Sequence, residues 1–160
     1  MPDPLIPPLA ALAAGLVLVR FVPFGARELT WAIGVLAVLA LLAKSVVAVE
    51  QDADLARVAS DRLSAVGAAN ATVVQNALVE GAQAGSPYDV IVVEGGIEEA
   101  PQTLLSQLGE GGRLVAVLQQ GAHGRAHLFV RENGRIGSRP DFDASVPVLV
   151  GFRKTVGFVF

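Results

Sequence analysis

Short β-branched runs alternate with helical or turn-rich stretches from Ser45 onward, and this rhythm limits the folds available to the chain. The runs have the composition of strands buried on both faces of a parallel sheet, and they cover residues 45–50, 71–75, 88–94 and 113–118. After the first run, Asp52 is placed to cap a helix from about Ala53 to Val66, which Gly67 ends. The alternation predicts an α/β fold with right-handed crossovers between parallel strands.

Two glycine pairs divide the remaining part of this parallel half. Gly95-Gly96 is expected to end the strand that begins at Tyr88, and Gly111-Gly112 is expected to turn the chain into the next strand. Between the two pairs, residues 98–108 are predicted to form a helix that accommodates Pro101 in its first turn.

The pattern changes after Leu118. Residues 126–131 and 135–139 flank Asn133-Gly134, a dipeptide typical of tight β-hairpins. Residues 155–160 can supply a final strand. The sequence therefore predicts a mostly parallel sheet with an antiparallel C-terminal hairpin.

The N-terminal part differs in composition from the rest. Residues 1–49 carry five of the 27 charged side chains, and they contain two apolar runs of 15 residues each, 5–19 and 29–43. A run of that length falls short of the ~20 residues that a membrane-spanning helix needs. We expect an atypical, apolar and helical segment over 1–34 and an α/β domain over 35–160. Membrane association through this segment is an alternative that the run lengths do not favour.

Several functional classes are disfavoured by composition. The net charge of −3 gives no basic surface for nucleic acid, and the chain has no cysteine for disulfides, zinc or catalysis. His123 and His127 have no carboxylate companions at metal-ligand spacing, so no metal site is expected. The absence of cysteine fits a reducing compartment, and we expect a cytoplasmic protein of undetermined oligomeric state.

Two strand ends carry candidate ligand-binding residues. Glu50 ends the first run, where dinucleotide and nucleoside sites hold ribose hydroxyls, although an ordinary solvated acid is an alternative. Glu94 and Gly95 end the run from Tyr88, at the edge that lines the ligand crevice in open α/β sheets, although a plain turn is the competing interpretation.

Several segments, in this order, resemble the protein-L-isoaspartate O-methyltransferase family, and most closely its short bacterial branch. The resemblance spans about residues 35–160, and the segments that carry it are 43–50, 67–74, 87–95, 104–115, 142–144, 151–152 and 158–160. It implies a Rossmann-like methyltransferase fold of class I and S-adenosyl-L-methionine as the cofactor. It also implies methyl transfer to isoaspartyl carboxylates in damaged proteins or peptides.

The resemblance also implies site residues. Those expected to bind the cofactor are Glu50, Gln51, Asn76, Ala77, Glu94 and Gly95. Asn76 is a candidate hydrogen-bond partner of the adenine amino group. No residue is assigned a catalytic role.

The pattern of the family breaks upstream. Counting back from Glu50 places the family's glycine-rich loop at Leu29, Trp31 and Ile33, and the acid that ends its first strand at Arg27. The first strand is thus expected to be missing, and a change of reading frame or a misplaced start would explain the loss of resemblance. The alternatives are therefore an inactive transferase, a non-catalytic module that binds a nucleoside or a protein, or a membrane-associated α/β protein.

Overall fold

The protein folds around one seven-stranded sheet. The computed structural model describes residues 15–18, as backbone, together with 43–121 and 123–154. The elements are β1 (Gly15–Leu18), β2 (Val46–Glu50), α1 (Ala53–Ala65), β3 (Ala71–Gln75), a 3₁₀ turn (Gln83–Gly85), β4 (Tyr88–Ile97), α2 (Gln102–Ser106), β5 (Leu108–Gln120), β6 (His123–Glu132) and β7 (Arg135–Asp143).

The strand order is β3-β2-β1-β4-β5-β6-β7. The first five strands in this order pair in parallel, whereas β6 and β7 pair antiparallel to their neighbours. Asn133 and Gly134 join the last two strands with φ values of 52° and 72°, the positive angles that a two-residue hairpin turn of this kind requires. The predicted α/β fold with a mostly parallel sheet and an antiparallel C-terminal hairpin is confirmed.

A strand, β1, lies inside the sheet between β2 and β4, contrary to the expectation that the first strand is missing. In β1, Gly15 pairs with Val46 of β2, and Leu18 pairs with Val93 of β4. The four residues 15–18 are therefore a strand and not part of an N-terminal helix. β1 lies upstream of the position to which the count back from Glu50 assigns the strand end, and Arg27 itself lies outside the described residues.

The first crossover helix forms as its sequence predicts. Asp52 caps α1 through Oδ1, which accepts hydrogen bonds from the amides of Asp54 at 2.9 Å and Leu55 at 3.0 Å. Gly67 follows the helix with φ +74°, a conformation that favours glycine. The buried side of the helix, Ala59 and Leu63, packs with Val46 and Ala48 on one face of the sheet.

The larger core lies on the other face. The contact of α2 and the loops with β4, β5 and β6 buries a cluster that includes Ile91, Val93, Leu104, Leu114, Ala116, Phe129, Leu149 and Phe152. The cluster packs against the middle strands of the sheet, whose carboxyl ends lie along one edge.

The boundaries around the two glycine pairs differ from the prediction. β4 continues through Gly95 and Gly96 to Ile97. The predicted helix over 98–108 shortens to α2, because Pro101 is its N-cap and the backbone amide of Glu98 is taken by the Phe152 carbonyl at 3.0 Å. Residues 98–100 form a bend outside the helix, so α2 has only five residues.

Gly111 and Gly112 lie inside β5 and do not begin it. The register of β5 against β4 jumps from Tyr88↔Leu108 to Val90↔Arg113, so the two glycines belong to an irregular bulged segment. Gly111 has φ +75° there. The predicted last strand at 155–160 and the predicted glycine-loop positions 29, 31 and 33 lie outside the described residues. In the part of the chain that the structure describes, no helix has the length and apolar character to cross a bilayer.

Candidate functional site

Glu50 sits at the carboxyl end of β2, where the strand turns into α1. Its side chain is 2% exposed. Oε1 of Glu50 accepts a hydrogen bond from the backbone amide of Asp52 at 2.9 Å, and Asp52 in turn caps α1. The strand end and the helix start therefore fix this carboxylate in one position at the edge of the sheet.

The end of the neighbouring strand β3 lies beside it. Gln75 pairs with Glu50, and the backbone amide of Asn76 donates to the Glu50 carbonyl at 3.1 Å. The Asn76 side chain donates through Nδ2 to the Gly81 carbonyl at 2.9 Å, so Oδ1 is the atom able to accept a hydrogen bond from an amino group. Gln51 and Ala77 are both exposed next to these strand ends. The structure thus brings together four of the six residues expected to bind the cofactor.

Glu94 lies further along the same edge, on β4. Because β1 lies between β2 and β4, two strand spacings separate them, which corresponds to about 10 Å between their backbones. Burial raises the pKa of the Glu94 carboxyl, which is partly shielded from solvent. From β1 the chain continues to β2 and β3 on one side of that strand, and it then crosses to β4 on the other side. Glu94 therefore lies at the topological switch point of the sheet, where open α/β sheets bind ligands.

Gly95 and Gly96 contact another segment of the chain, residues 146–149. A Cβ at Gly95 would overlap the side chain of Leu149. The Gly96 amide donates to the Pro147 carbonyl at 2.8 Å, and its carbonyl accepts from the Leu149 amide at 2.9 Å. The close approach that these glycines permit is therefore used by residues 146–149, which form a wall beside Gly95 and Gly96.

Residues 146–149 were missed in the sequence as part of this edge. The signal was present as the apolar run Val146-Pro147-Val148-Leu149, which follows the hairpin. Only its bridge from Val148 to Gly96 reveals where it docks.

A second feature of the edge is an open cleft of about 740 Å³ over β5, β6 and β7. His123, Arg125 and His127 line it, and Arg125 pairs with Asp143 at 2.9 Å. Neither histidine was assigned to a site from the sequence, and a cleft was not predicted. Among residues 43–121 and 123–154, no three His, Cys, Asp or Glu side chains are arranged to hold a metal ion.

The sheet order, the buried acid at the end of β2 and the switch point between β1 and β4 together define a Rossmann-like domain of the class I methyltransferase type. The sequence model of the protein-L-isoaspartate(D-aspartate) O-methyltransferase family matches residues 31–148. The chain belongs to this family.

Curated relatives agree with this assignment. Protein-L-isoaspartate O-methyltransferase of Methanoculleus marisnigri is 38% identical over 104 residues, which are 65% of this chain and 47% of the relative. Protein-L-isoaspartate O-methyltransferase 1 of Rhodopseudomonas palustris strain HaA2 is 42% identical over 95 residues, which are 59% of this chain and 38% of the relative. The chain thus spans less than half the length of these two relatives.

Solved structures show the same fold. A protein-L-isoaspartate O-methyltransferase superposes with a TM-score of 0.70 at 22% identity, covering 88% of this chain and 42% of its own. A Plasmodium falciparum protein of the same type, in complex with S-adenosyl-L-homocysteine, has a TM-score of 0.62 at 16% identity and covers 88% of this chain and 67% of its own. The Rossmann-like methyltransferase fold expected from the sequence is thereby confirmed.

Proposed function

We propose that this chain binds S-adenosyl-L-methionine and transfers its methyl group to the carboxylate of isoaspartyl residues in damaged proteins or peptides. Membership of the protein-L-isoaspartate(D-aspartate) O-methyltransferase family supports the reaction. The observation that carries the proposal is the position of Glu50, a carboxylate fixed at the end of β2 by the Asp52 amide.

The described residues fit the nucleoside half of the methyl donor. In this proposal the Glu50 carboxylate accepts from the ribose hydroxyls, because a carboxylate offers acceptor sites on both oxygens. Asn76 accepts a hydrogen bond from the adenine amino group through Oδ1, and the exposed residues Gln51 and Ala77 lie next to the same strand ends. Glu94 and Gly95 border the donor at the switch point.

The chemistry requires positioning more than acid or base catalysis. When bound, S-adenosyl-L-methionine supplies an electrophilic methyl carbon, so a substrate carboxylate oxygen needs no metal to attack it. The task of the protein is to hold oxygen and methyl carbon in line at near-attack distance and to exclude water. The wall at residues 146–149 and the carboxyl group of Glu94 border the space in which the acceptor would lie.

A second candidate function is nucleoside binding without methyl transfer. The stretch that follows β1 in the sequence, residues 19–42, has glycine only at positions 25 and 34 and therefore lacks closely spaced glycines. A backbone that passes beneath the methionine part of the donor is usually glycine-rich, since a side chain there would occupy the space of the ligand. This feature favours a module that retains the nucleoside half of the site alone.

Two measurements on the full chain test the proposal. Isothermal titration with S-adenosyl-L-homocysteine measures nucleoside binding, and transfer of a labelled methyl group to an isoaspartyl peptide measures catalysis. Binding together with transfer supports the transferase, whereas binding without transfer supports the second candidate. No heat at millimolar ligand contradicts both.

The proposal extends to partners and location. Isoaspartyl-containing proteins or peptides are the expected substrates, and the absence of cysteine fits a cytoplasmic, reducing environment. The short apolar runs of the N-terminal part do not favour membrane association, which remains the alternative. Partition of the full chain between a detergent phase and an aqueous phase tests it, and recovery in the detergent phase would contradict a cytoplasmic location.

A further inference from the structure

The turn between β6 and β7 is held by a carboxylate from a distant strand. The backbone amides of Asn133 and Gly134 both donate to the Glu110 side chain of β5, the first to Oε1 and the second to Oε2 at 3.2 Å. All three residues are exposed. A hairpin turn of this type needs no such clamp for its conformation, because Asn-Gly adopts positive φ readily.

Asn-Gly in an exposed turn is also the sequence most prone to spontaneous deamidation, since glycine has no Cβ to hinder attack on the asparagine side chain. In this reaction the Gly134 nitrogen loses its proton to solvent and forms a bond to Cγ of Asn133. The Cγ–Nδ2 bond breaks, and Nδ2 leaves as ammonia after taking up a proton. Water then opens the resulting succinimide at either carbonyl, which gives an aspartyl or an isoaspartyl residue.

We propose that Asn133 is a deamidation site and that Glu110 restrains its reaction. The attacking nitrogen must develop negative charge as its proton leaves, and the Glu110 carboxylate lies within hydrogen-bond distance of that nitrogen. A negative charge at this distance opposes the deprotonation. The two hydrogen bonds also hold Asn133 at φ 52° and Gly134 at φ 72°, so the turn cannot rearrange freely to bring nitrogen and Cγ together.

The other two asparagines of the chain serve as internal controls. Asn70 and Asn76 are each followed by alanine, whose side chain hinders the same attack. Nδ2 of Asn70 donates to the Ala43 carbonyl at 2.8 Å, and Nδ2 of Asn76 donates to the Gly81 carbonyl at 2.9 Å. Conversion at Asn133 is therefore expected to exceed conversion at either of these sites.

The test compares the full-length protein with Glu110→Ala and Glu110→Gln during incubation at mildly alkaline pH. Peptide mass spectrometry follows the replacement of the Asn133 side-chain NH₂ by OH. Removing the charge should accelerate conversion about fivefold, the effect of one unit charge at roughly 4 Å in water. Glu110→Ala should convert at least as fast as Glu110→Gln, because it also loses both hydrogen bonds. Glu99→Gln removes an exposed carboxylate elsewhere and should match the parent.

Two results would overturn the proposal. Slower conversion in Glu110→Gln would mean that the carboxylate acts as a base for the attack, and equal rates in all variants would mean that it has no role. Asn133→Gln checks that the mass change comes from Asn133, because the peptide of this variant should no longer show it. The incubation contains no methyl donor, so the outcome is independent of whether the protein transfers methyl groups.

Discussion

Leu18 of β1 pairs with Val93 of β4, and among the residues that the structure describes this pair is the last one between the two strands. Glu94 follows Val93 directly and is the first residue of β4 beyond the described part of β1. A carboxyl group in this place borders the crevice at the switch point and is partly shielded from water by the surrounding strands. Two properties of the site follow, one for its titration and one for ligand binding.

The titration of Glu94 should make the protein less stable as the pH rises. Burial raises the pKa of Glu94 in the folded state above its ordinary value of 4.5, so the folded protein holds this proton more tightly than the unfolded chain does. The stabilisation is fully present below pH 4.5 and is lost as the pH rises through the folded pKa. Glu94→Gln has no such titration, so its stability relative to the parent should increase from pH 4 to pH 7.

Urea unfolding at several pH values measures this difference. Glu99→Gln is the matched control, because it removes an exposed carboxyl group close to Glu94 in the sequence. If the curves of Glu94→Gln and the parent run parallel over the whole range, the carboxyl group is not buried in the folded protein as described.

Glu50→Gln should weaken binding of S-adenosyl-L-homocysteine. The substitution keeps the size of the side chain and removes the negative charge that the proposed ribose contact uses. Hydrogen bonds to charged groups contribute about 1.5–3 kcal/mol, so the dissociation constant should rise about tenfold to a hundredfold. Isothermal titration calorimetry measures the change directly.

Glu132→Gln provides the comparison, since Glu132 is an exposed carboxylate at the end of β6. Equal dissociation constants for Glu50→Gln and the parent, in proteins with the same melting temperature, would exclude a ribose contact by Glu50.

Gln107 should be a strong determinant of stability. It is 2% exposed and joins two loops: Nε2 donates to the Glu80 carbonyl at 2.7 Å, and Oε1 accepts from the Ala82 amide at 3.2 Å. Gln107→Leu leaves both backbone groups without these partners, which should cost about 1–3 kcal/mol in the free energy of unfolding. Gln102 is the exposed first residue of α2, the helix that Gln107 caps at its C-terminus, and Gln102→Leu should change stability by less than about 0.5 kcal/mol. Comparable losses in urea unfolding of the two variants would refute the role of the buried amide.

The parts of the fold that depend on local chemistry were predictable from the sequence. Asp52 and Gly67 mark the two ends of α1, and both were recognisable because capping and positive φ are properties of single residues. Asn133-Gly134 marks its hairpin for the same reason. The position of Glu50 at the edge of the sheet follows from the length of the buried run that precedes it.

The parts that depend on pairing between distant segments were not predictable. The four residues of β1 are a strand because β2 and β4 leave a gap of one strand between them, and nothing in the run from Gly15 to Leu18 distinguishes it from a helix. Gly95 and Gly96 indicated a turn by composition, whereas their contact with Leu149 lies more than fifty residues away in the sequence and keeps the strand extended. The assignment of Glu94 and Gly95 as cofactor contacts stays a prediction.

Gly96 offers the sharpest test of this long-range contact. A Cβ at Gly96 would lie 3.0 Å from the Val146 carbonyl oxygen and 3.1 Å from that of Pro147, and backbone atoms cannot rotate away as a flexible side chain can. Gly96→Ala should therefore displace the wall at residues 146–149 and destabilise the protein by about 1–3 kcal/mol. Gly137→Ala on β7 is the control, because a Cβ there meets no atom within 4 Å. Urea unfolding should separate the two variants, since replacing glycine in an open strand position is neutral or slightly stabilising. Equal stability of the two would mean that residues 146–149 do not pack against β4, and the acceptor wall of the proposed site would have to be placed elsewhere.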